Sequence, residues 1–525
     1  MKTVTILFAH KNAKYMAEPC FGGVSAFEKA LDWAHSNKSE KVIVFSFDEN
    51  KSLVEKLLSG RGELVSSPEW KAGNLVVEMK NAAEKTGAES VIFAWADCPF
   101  LNRSITSEII TSHNEFLSEY TFADGYSYGF APEMIDAGTL GILTGLFAST
   151  FKKASEAEIT RTALYDLLKT DINAFEVETV LADDDYRLFR YSFDTGKKEN
   201  LLQCKALYES LSDSEKKDLQ SLDAEAVSVR CTKNQNILKT VPGYYNIQLS
   251  PVSTSKPDYV PSDAPLNQGE NMDTEKALLL IEQIAAFSEN AVVNLSYFGD
   301  PVNHPDLVKI VEKILSFTGL SVFIETDYMN ENLASELKAV SDSALERTNG
   351  YEKIMISINL DAASSGTYAK LRGKSEGDFE KALSCVAKVS DLFPESTYPQ
   401  FTRLNENEGE LETFYRYWNE KSNPSKGNLI IQKYNSFCKT LPDRKPADLS
   451  PVERNVCWHL RRDMNILSKG DVTFCHCLYK KVTGNVFEKT LSEIWKETEE
   501  EIKNQTENKY CKNCGDCDEY YTFNF

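Results

Sequence analysis

Positive charge is in deficit in this chain. Lys and Arg number 58 against 79 Asp and Glu, a formal net charge of −21. A surface that grips nucleic acid needs the opposite balance to displace counter-ions from phosphates, and docking on anionic lipid needs it too. The expectation is therefore neither a nucleic-acid nor a membrane partner. Long apolar runs are missing as well: no stretch approaches the ~18 uncharged residues of a membrane helix. The first apolar run, Val4 to Ala9, is about six residues long and is followed by no small-residue cleavage site. It reads as a buried strand, and the expected location is cytoplasmic, where disulfides are rare and grouped cysteines serve metal or redox chemistry. A hydrophobic fraction of 42% with 26% charged residues excludes disorder. The length of 525 residues calls for about three domains.

Cysteine is sparse until the tail, and none lies between Cys231 and Cys385. Six of the twelve then fall between Cys457 and Cys517, a window of 61 residues in which chance would place about 1.4. Clustered thiols imply a disulfide knot, a zinc site or an iron–sulfur cluster. Soft thiolates suit both zinc and iron–sulfur. Cys20, Cys98, Cys204, Cys231 and Cys385 read as small buried hydrophobes.

The N-terminal third alternates strands (Val4–Ala9, Lys41–Ser46, Glu89–Ala96) with helical patterns (Ser25–Ser36, Asn50–Leu58, Trp70–Thr86), which predicts a mainly parallel, Rossmann-like α/β sheet. Ligands of such sheets lie at the carboxyl ends of strands, where Asp97 stands in Ala96-Asp97-Cys98-Pro99. With Phe21-Gly-Gly-Val-Ser-Ala-Phe27 and Arg187-Leu-Phe-Arg190-Tyr-Ser-Phe-Asp194, this region resembles nucleotidyltransferases and type A glycosyltransferases. The resemblance implies a strand ending at Asp194, a Mg²⁺ site formed by Asp97 and Asp194, and a sugar pocket along Tyr120–Glu133. The family's Gly- and Arg-rich phosphate loop is absent, and Lys11 or Lys14 is the substitute on offer.

After a turn pair at Pro242-Gly243 the chain repeats strand then helix: Tyr245–Ser250, Lys276–Phe287, Val292–Tyr297, Asp306–Phe317, Ser321–Thr326, Lys353–Ile358, Asp378–Val389. Gly299-Asp300-Pro301, Glu325-Thr326-Asp327, Ser357-Ile-Asn-Leu-Asp361 and Tyr368-Ala-Lys-Leu-Arg372-Gly373 follow in order, and the succession resembles the radical SAM fold, a partial (βα)6, TIM-like barrel. On that resemblance Gly299 and Asp300 are what remains of the S-adenosylmethionine site. The family's Cys-x3-Cys-x2-Cys loop, which holds the reactive [4Fe–4S] cluster, is here Ser250 to Pro261, with Ser253, Pro257 and Val260 at the three ligand positions. Cleavage of S-adenosylmethionine is therefore not expected.

Cys457 followed by Gly470-x4-Cys475, then Gly484-Asn-Val486 and Leu491-Ser-Glu-Ile-Trp495, resembles the opening of the SPASM domain, an auxiliary iron–sulfur module found after radical SAM barrels. Cys511-x2-Cys514-x2-Cys517 would close it. The resemblance implies one [4Fe–4S] cluster on Cys457, Cys475, Cys514 and Cys517, with Cys511 an equal alternative, Cys477 ranked lower and Cys438 a spare. His459 and His476 are assigned outer-shell or surface roles. Two thiols from a hairpin and two from a Cys-x2-Cys also describe a zinc ribbon, and that alternative stays open. The combination, with boundaries at 1–225, 243–445 and 446–525, resembles a group of SPASM proteins associated with spirochaetes. Two functions follow: a cluster-bearing binding or electron-transfer protein whose barrel takes a small molecule or peptide, or a Mg²⁺-dependent nucleotidyl- or glycosyltransferase whose acceptor the barrel and tail position.

Overall fold

The structure, a computed structural model, describes residues 2–447, 450–451 and 453–522. The chain divides into two compact units, Met1–Leu238 and Lys239–Phe525.

The first unit is built on a seven-stranded sheet. Its order is Glu63–Ser67, Val42–Phe47, Thr3–Ala9, Ser90–Trp95, Glu133–Asp136, Tyr120–Asp124, Val177–Leu181. All neighbours run parallel except Glu133–Asp136, which is antiparallel to both of its partners. Every residue of Thr3–Ala9 is buried, as a central strand covered on both faces requires. Ser25 and Glu28 form a capping box that starts helix Ala26–Ser36, whose Phe27, Leu31 and Trp33 face the core. Strand order reverses between Thr3–Ala9 and Ser90–Trp95, so the crevice favoured for ligands opens beside Asp97. The strand expected at Arg187–Asp194 is instead a 3₁₀ turn at Tyr186–Phe189, a left-handed Arg190 (φ 51°), and a single bridge from Ser192 to Tyr128. Consecutive charged and aromatic residues with an αL break cannot sustain a ladder.

The second unit begins with six parallel strands in sequence order: Tyr244–Ile247, Ala291–Asn294, Leu320–Thr326, Ile354–Asn359, Thr397–Arg403 and Ile430–Lys433. Helices Thr274–Ser288, Leu307–Leu315, Glu331–Ser343 and Gly377–Leu392 alternate with them, giving a partial (βα)6 barrel. The tail, read from sequence as a separate module from residue 446, shares this sheet. Asp463–Ile466 pairs in parallel with Tyr244–Ile247, and Asp471–Thr473 and Val482–Asn485 follow antiparallel. Val472, Leu491, Ile494 and Trp495 join the same apolar core as Tyr245, Val293 and Ile356. Burying the hairpin against the barrel removes apolar surface that a segment of this size could not cover by itself. No helix among the described residues is long and apolar enough to cross a membrane.

Candidate metal centre and barrel cavity

Turn geometry delivers the tail thiols. After Asp463–Ile466 the chain reverses at Gly470 (φ 91°), where an added Cβ would collide with the Phe487 ring, and the turn that follows the returning strand Asp471–Thr473 presents Cys475 and Cys477. Cys511 caps helix Lys512–Asp516, its Sγ accepting the Cys514 N–H at 3.3 Å, and Cys517 follows the helix.

The sulfurs fall into two groups. Cys438, Cys477 and Cys517 have Sγ atoms within 4.8 Å of one another. Cys511 and Cys514 lie within the same distance of each other and of the Glu501 carboxylate. Cys457 and Cys475 line one cavity together with Cys477 and Cys517. Thus Cys517 sits with the two cysteines ranked lowest from sequence, while Cys511 and Cys514 form their own pair. Backbone N–H groups of Leu478 and Glu519 donate to Cys475 Sγ (3.3 Å) and Cys517 Sγ (3.4 Å). Such donors favour thiolates, whereas burial pushes the Cys457 thiol up to about 12 and Cys475 well above its ordinary value. Cys517 moves the other way, because the Cys438 and Cys477 thiols both donate to it. A set of convergent thiols supported by N–H groups fits a thiophilic metal, zinc or the irons of a cluster. His459 is committed to Asp463 (2.6 Å) and Thr522 (3.1 Å). His476 stacks on Phe298 at 5.2 Å, and burial lowers its pKa to about 4, so it is neutral. Cys385 accepts the Met329 N–H at 3.2 Å inside the barrel core.

The cavity has a volume of about 700 Å³ and opens at the carboxyl ends of the barrel strands. Ser253, Pro257 and Val260 form part of its wall. Their loop is tied down: Lys256 N–H donates to Arg372 O (3.0 Å), and Asp258 N–H to Leu371 O (3.3 Å). Arg372 bonds to Tyr259 Oη (2.6 Å), to Asp361 (2.8 Å) and to Asp327. Gly299 is obligatory, since a Cβ there would meet the Ser250 carbonyl. Asp300 is buried, accepting from Thr326 Oγ1 (2.8 Å) and Val302 N–H (3.2 Å), and burial pushes its pKa up to about 7. Glu325, Asn294, Asn359 and Gln400 add a polar floor, and burial raises Glu325 too.

In the first unit Asp97 and Asp194 do converge, but around a residue that the sequence did not mark. Arg161 makes a two-pronged bond to Asp97 (2.7 and 2.6 Å) and reaches Asp194 at 3.4 Å, its guanidinium lying 4.4 Å from the Trp95 ring centre. Burial raises the Asp194 pKa, yet Arg161, Ser192, the Gly196 N–H and Asn200 outweigh it and hold the carboxyl below its usual range. With the guanidinium in place, Asp97 is paired, the charge of the group falls to a net −1 and the space between the carboxylates is filled, so the pair as it stands does not fit a divalent cation. Lys11 pairs with Glu49 at 3.4 Å.

Together, the partial barrel, the hairpin and the thiol clusters define a barrel protein with a cysteine-rich tail whose sulfurs suit a thiophilic metal. The SPASM family model, an iron–sulfur cluster-binding domain, matches residues 457–518. The chain belongs to the same family as an uncharacterized protein of Treponema pallidum (strain Nichols), to which it is 38% identical over 373 residues, 69% of this chain and 98% of that one. Among solved structures it is similar to a cytidylyltransferase from Leptospira borgpetersenii (15% identity, TM-score 0.38, 46% of this chain and 98% of that one). It is also similar to Streptococcus suis SuiB bound to precursor peptide SuiA (14%, TM-score 0.39, 55% and 70%).

Proposed function

We propose that this is a cluster-bearing binding or electron-transfer protein that does not cleave S-adenosylmethionine. One observation carries the reading. The cavity wall has Ser253, Pro257 and Val260 where three thiolates would open a reactive iron, while Cys457, Cys475, Cys477 and Cys517 line the same cavity from the tail. Pro and Val offer no side-chain ligand, and serine is a poor ligand for iron. A bound [4Fe–4S] cluster would supply one-electron chemistry at the cavity edge. The chain's own residues supply the rest: Arg372 fixes the loop, Glu325, Asn359 and Gln400 present polar groups, and Tyr297 and Phe298 give the cavity an aromatic wall. A volume of about 700 Å³ suits a small molecule or a short peptide segment. Protein purified without oxygen is expected to contain iron and sulfide in a ratio near one, and to form no 5′-deoxyadenosine with dithionite and S-adenosylmethionine. Turnover absent from a boiled control would sink the reading, and zinc without sulfide would replace the cluster by a structural zinc site.

A second reading, nucleotide chemistry in the first unit, is favoured by the meeting of Asp97 and Asp194 at the switch point of the sheet. In it, Arg161 must leave the carboxylates before Mg²⁺ can enter. Calorimetry is then expected to show Mg²⁺-dependent nucleotide or nucleotide-sugar binding that Asp97→Asn abolishes; no binding of either ligand class leaves the unit a scaffold.

A further inference from the structure

Cys438, a spare candidate from sequence, lies in a run of left-handed residues that has no equal in length among the described residues. Phe437, Cys438 and Lys439 have φ of 51°, 54° and 63°, three consecutive non-glycine residues in the left-handed region. That region is sparsely populated, and a run of three persists only where the surroundings over-determine it. Here they do. Asn435 Oδ1 accepts the Phe437 N–H at 2.7 Å, and Ser436 Oγ accepts the Lys439 N–H at 3.3 Å. Lys439 pairs with Asp516 at 2.8 Å, clasping the turn to the helix that carries Cys517. On the far side Asn435 meets Cys477 Sγ at 3.5 Å. An ordinary surface turn has no need of this expenditure. Its result is that Cys438 Sγ stands within 4.8 Å of both Cys477 and Cys517.

These three thiols come from three segments: a turn after the barrel strand Ile430–Lys433, the turn after the return strand of the tail hairpin, and the residue that ends the closing helix Lys512–Asp516. The matched cluster-binding segment begins at residue 457, so Cys438 lies outside it. We infer that Cys438, Cys477 and Cys517 are ligands of one iron–sulfur centre, to which the barrel itself contributes a thiolate. The inference rests on the proposed cluster-bearing reading. Loading the centre costs the three sulfurs their remaining protons, which pass to solvent. Arg454 steadies the Cys517 arm by donating to the carbonyls of Cys514 and Cys517 (2.9 Å to the latter).

The test is differential alkylation of the full, anaerobically purified chain, followed by peptide mass spectrometry, with iron and sulfide measured on the same sample. Iodoacetamide should spare Cys438, Cys477 and Cys517 together in the loaded protein. It should modify all three, at least tenfold more, once iron is stripped by chelator and oxidant. Cys20, half-exposed and remote in sequence, should react equally in both states. In parallel, Cys438→Ala should lower iron and sulfide as far as Cys517→Ala does, with an unchanged far-ultraviolet dichroism spectrum. Iron-loaded protein in which Cys438 alone is modified freely overturns the assignment and leaves the cluster reading intact. Protein with neither iron nor sulfide, and no protection of any of the three thiols, overturns both. Because alkylation is read on the unaltered chain, a variant that fails to fold does not spoil the result.

Discussion

The two units solve one electrostatic problem in opposite ways. Each draws anionic or potentially anionic groups together: Asp97 and Asp194 in the first, cysteine sulfurs in the second. In the first unit the chain provides its own cation, Arg161. In the second, the donors to sulfur are neutral: N–H groups of Leu478, Cys514 and Glu519, and the Asn435 amide. Neutral donors soften thiolate charge but do not cancel it, so most of these buried sulfurs keep their protons until a cation from outside replaces them. A carboxylate pair can thus be closed by one residue, whereas a thiol cluster invites a metal.

Removing the external cation should have the largest effect. Stripping metal from the second unit is expected to cost several kcal/mol of stability, since metal binding is folding energy for a small site. Loss of the high-temperature transition in calorimetry, restored by iron and sulfide, is the expected sign; an identical melting curve for the stripped chain breaks the comparison. Next comes Arg161→Ala. It leaves two buried carboxylates unpaired and should cost roughly 2–4 kcal/mol, below the value for a fully buried pair because the outer face of Arg161 reaches solvent. If the carboxylates are only waiting for a cation, Mn²⁺ should raise the melting temperature of this variant and not that of the wild type. Asp300 gives a smaller, pH-dependent effect. Its folded pKa of about 7 exceeds its ordinary value of 3.8, so its contribution is full below about pH 4 and is lost as pH rises through 7. Asp300→Asn keeps the acceptor for Val302 and should overtake the wild type by on the order of 2 kcal/mol between those limits, read as a melting-temperature gap that widens with pH. A gap that stays constant from pH 4 to 8 would show that the carboxyl is not buried as described. Smallest is Cys385→Ala, expected to cost about 1 kcal/mol and leave bound iron unchanged.

Legibility followed periodicity. Val4–Ala9 and Ser321–Thr326 declare themselves by short, mainly apolar runs rich in β-branched and aromatic residues, and Gly470-x4-Cys475 marks a hairpin that is present. Thr397–Arg403 carries Pro399 among polar residues, and Glu63–Ser67 is half-buried throughout, so neither announced a strand. Sites were harder. Arg161 stands 64 residues from Asp97 on an irregular segment, and no local pattern links them. From sequence Cys438 reads as a spare candidate and Cys477 as a less favoured ligand. Their meeting depends on sheet pairing and on an αL turn without glycine, and neither leaves a spacing signature.

Strand Tyr244–Ile247 finds its outer neighbour only at Asp463–Ile466. About 220 residues separate the two, so at roughly 5–20 residues per second a ribosome takes about 10–40 s to supply the partner after the first strand is made. For that interval the opening strand of the barrel presents a bare edge, the kind of surface on which chains aggregate. A chain cut short before Asp463 would keep it bare for good, which makes the last eighth of the sequence a condition for the solubility of everything from Lys239 onward.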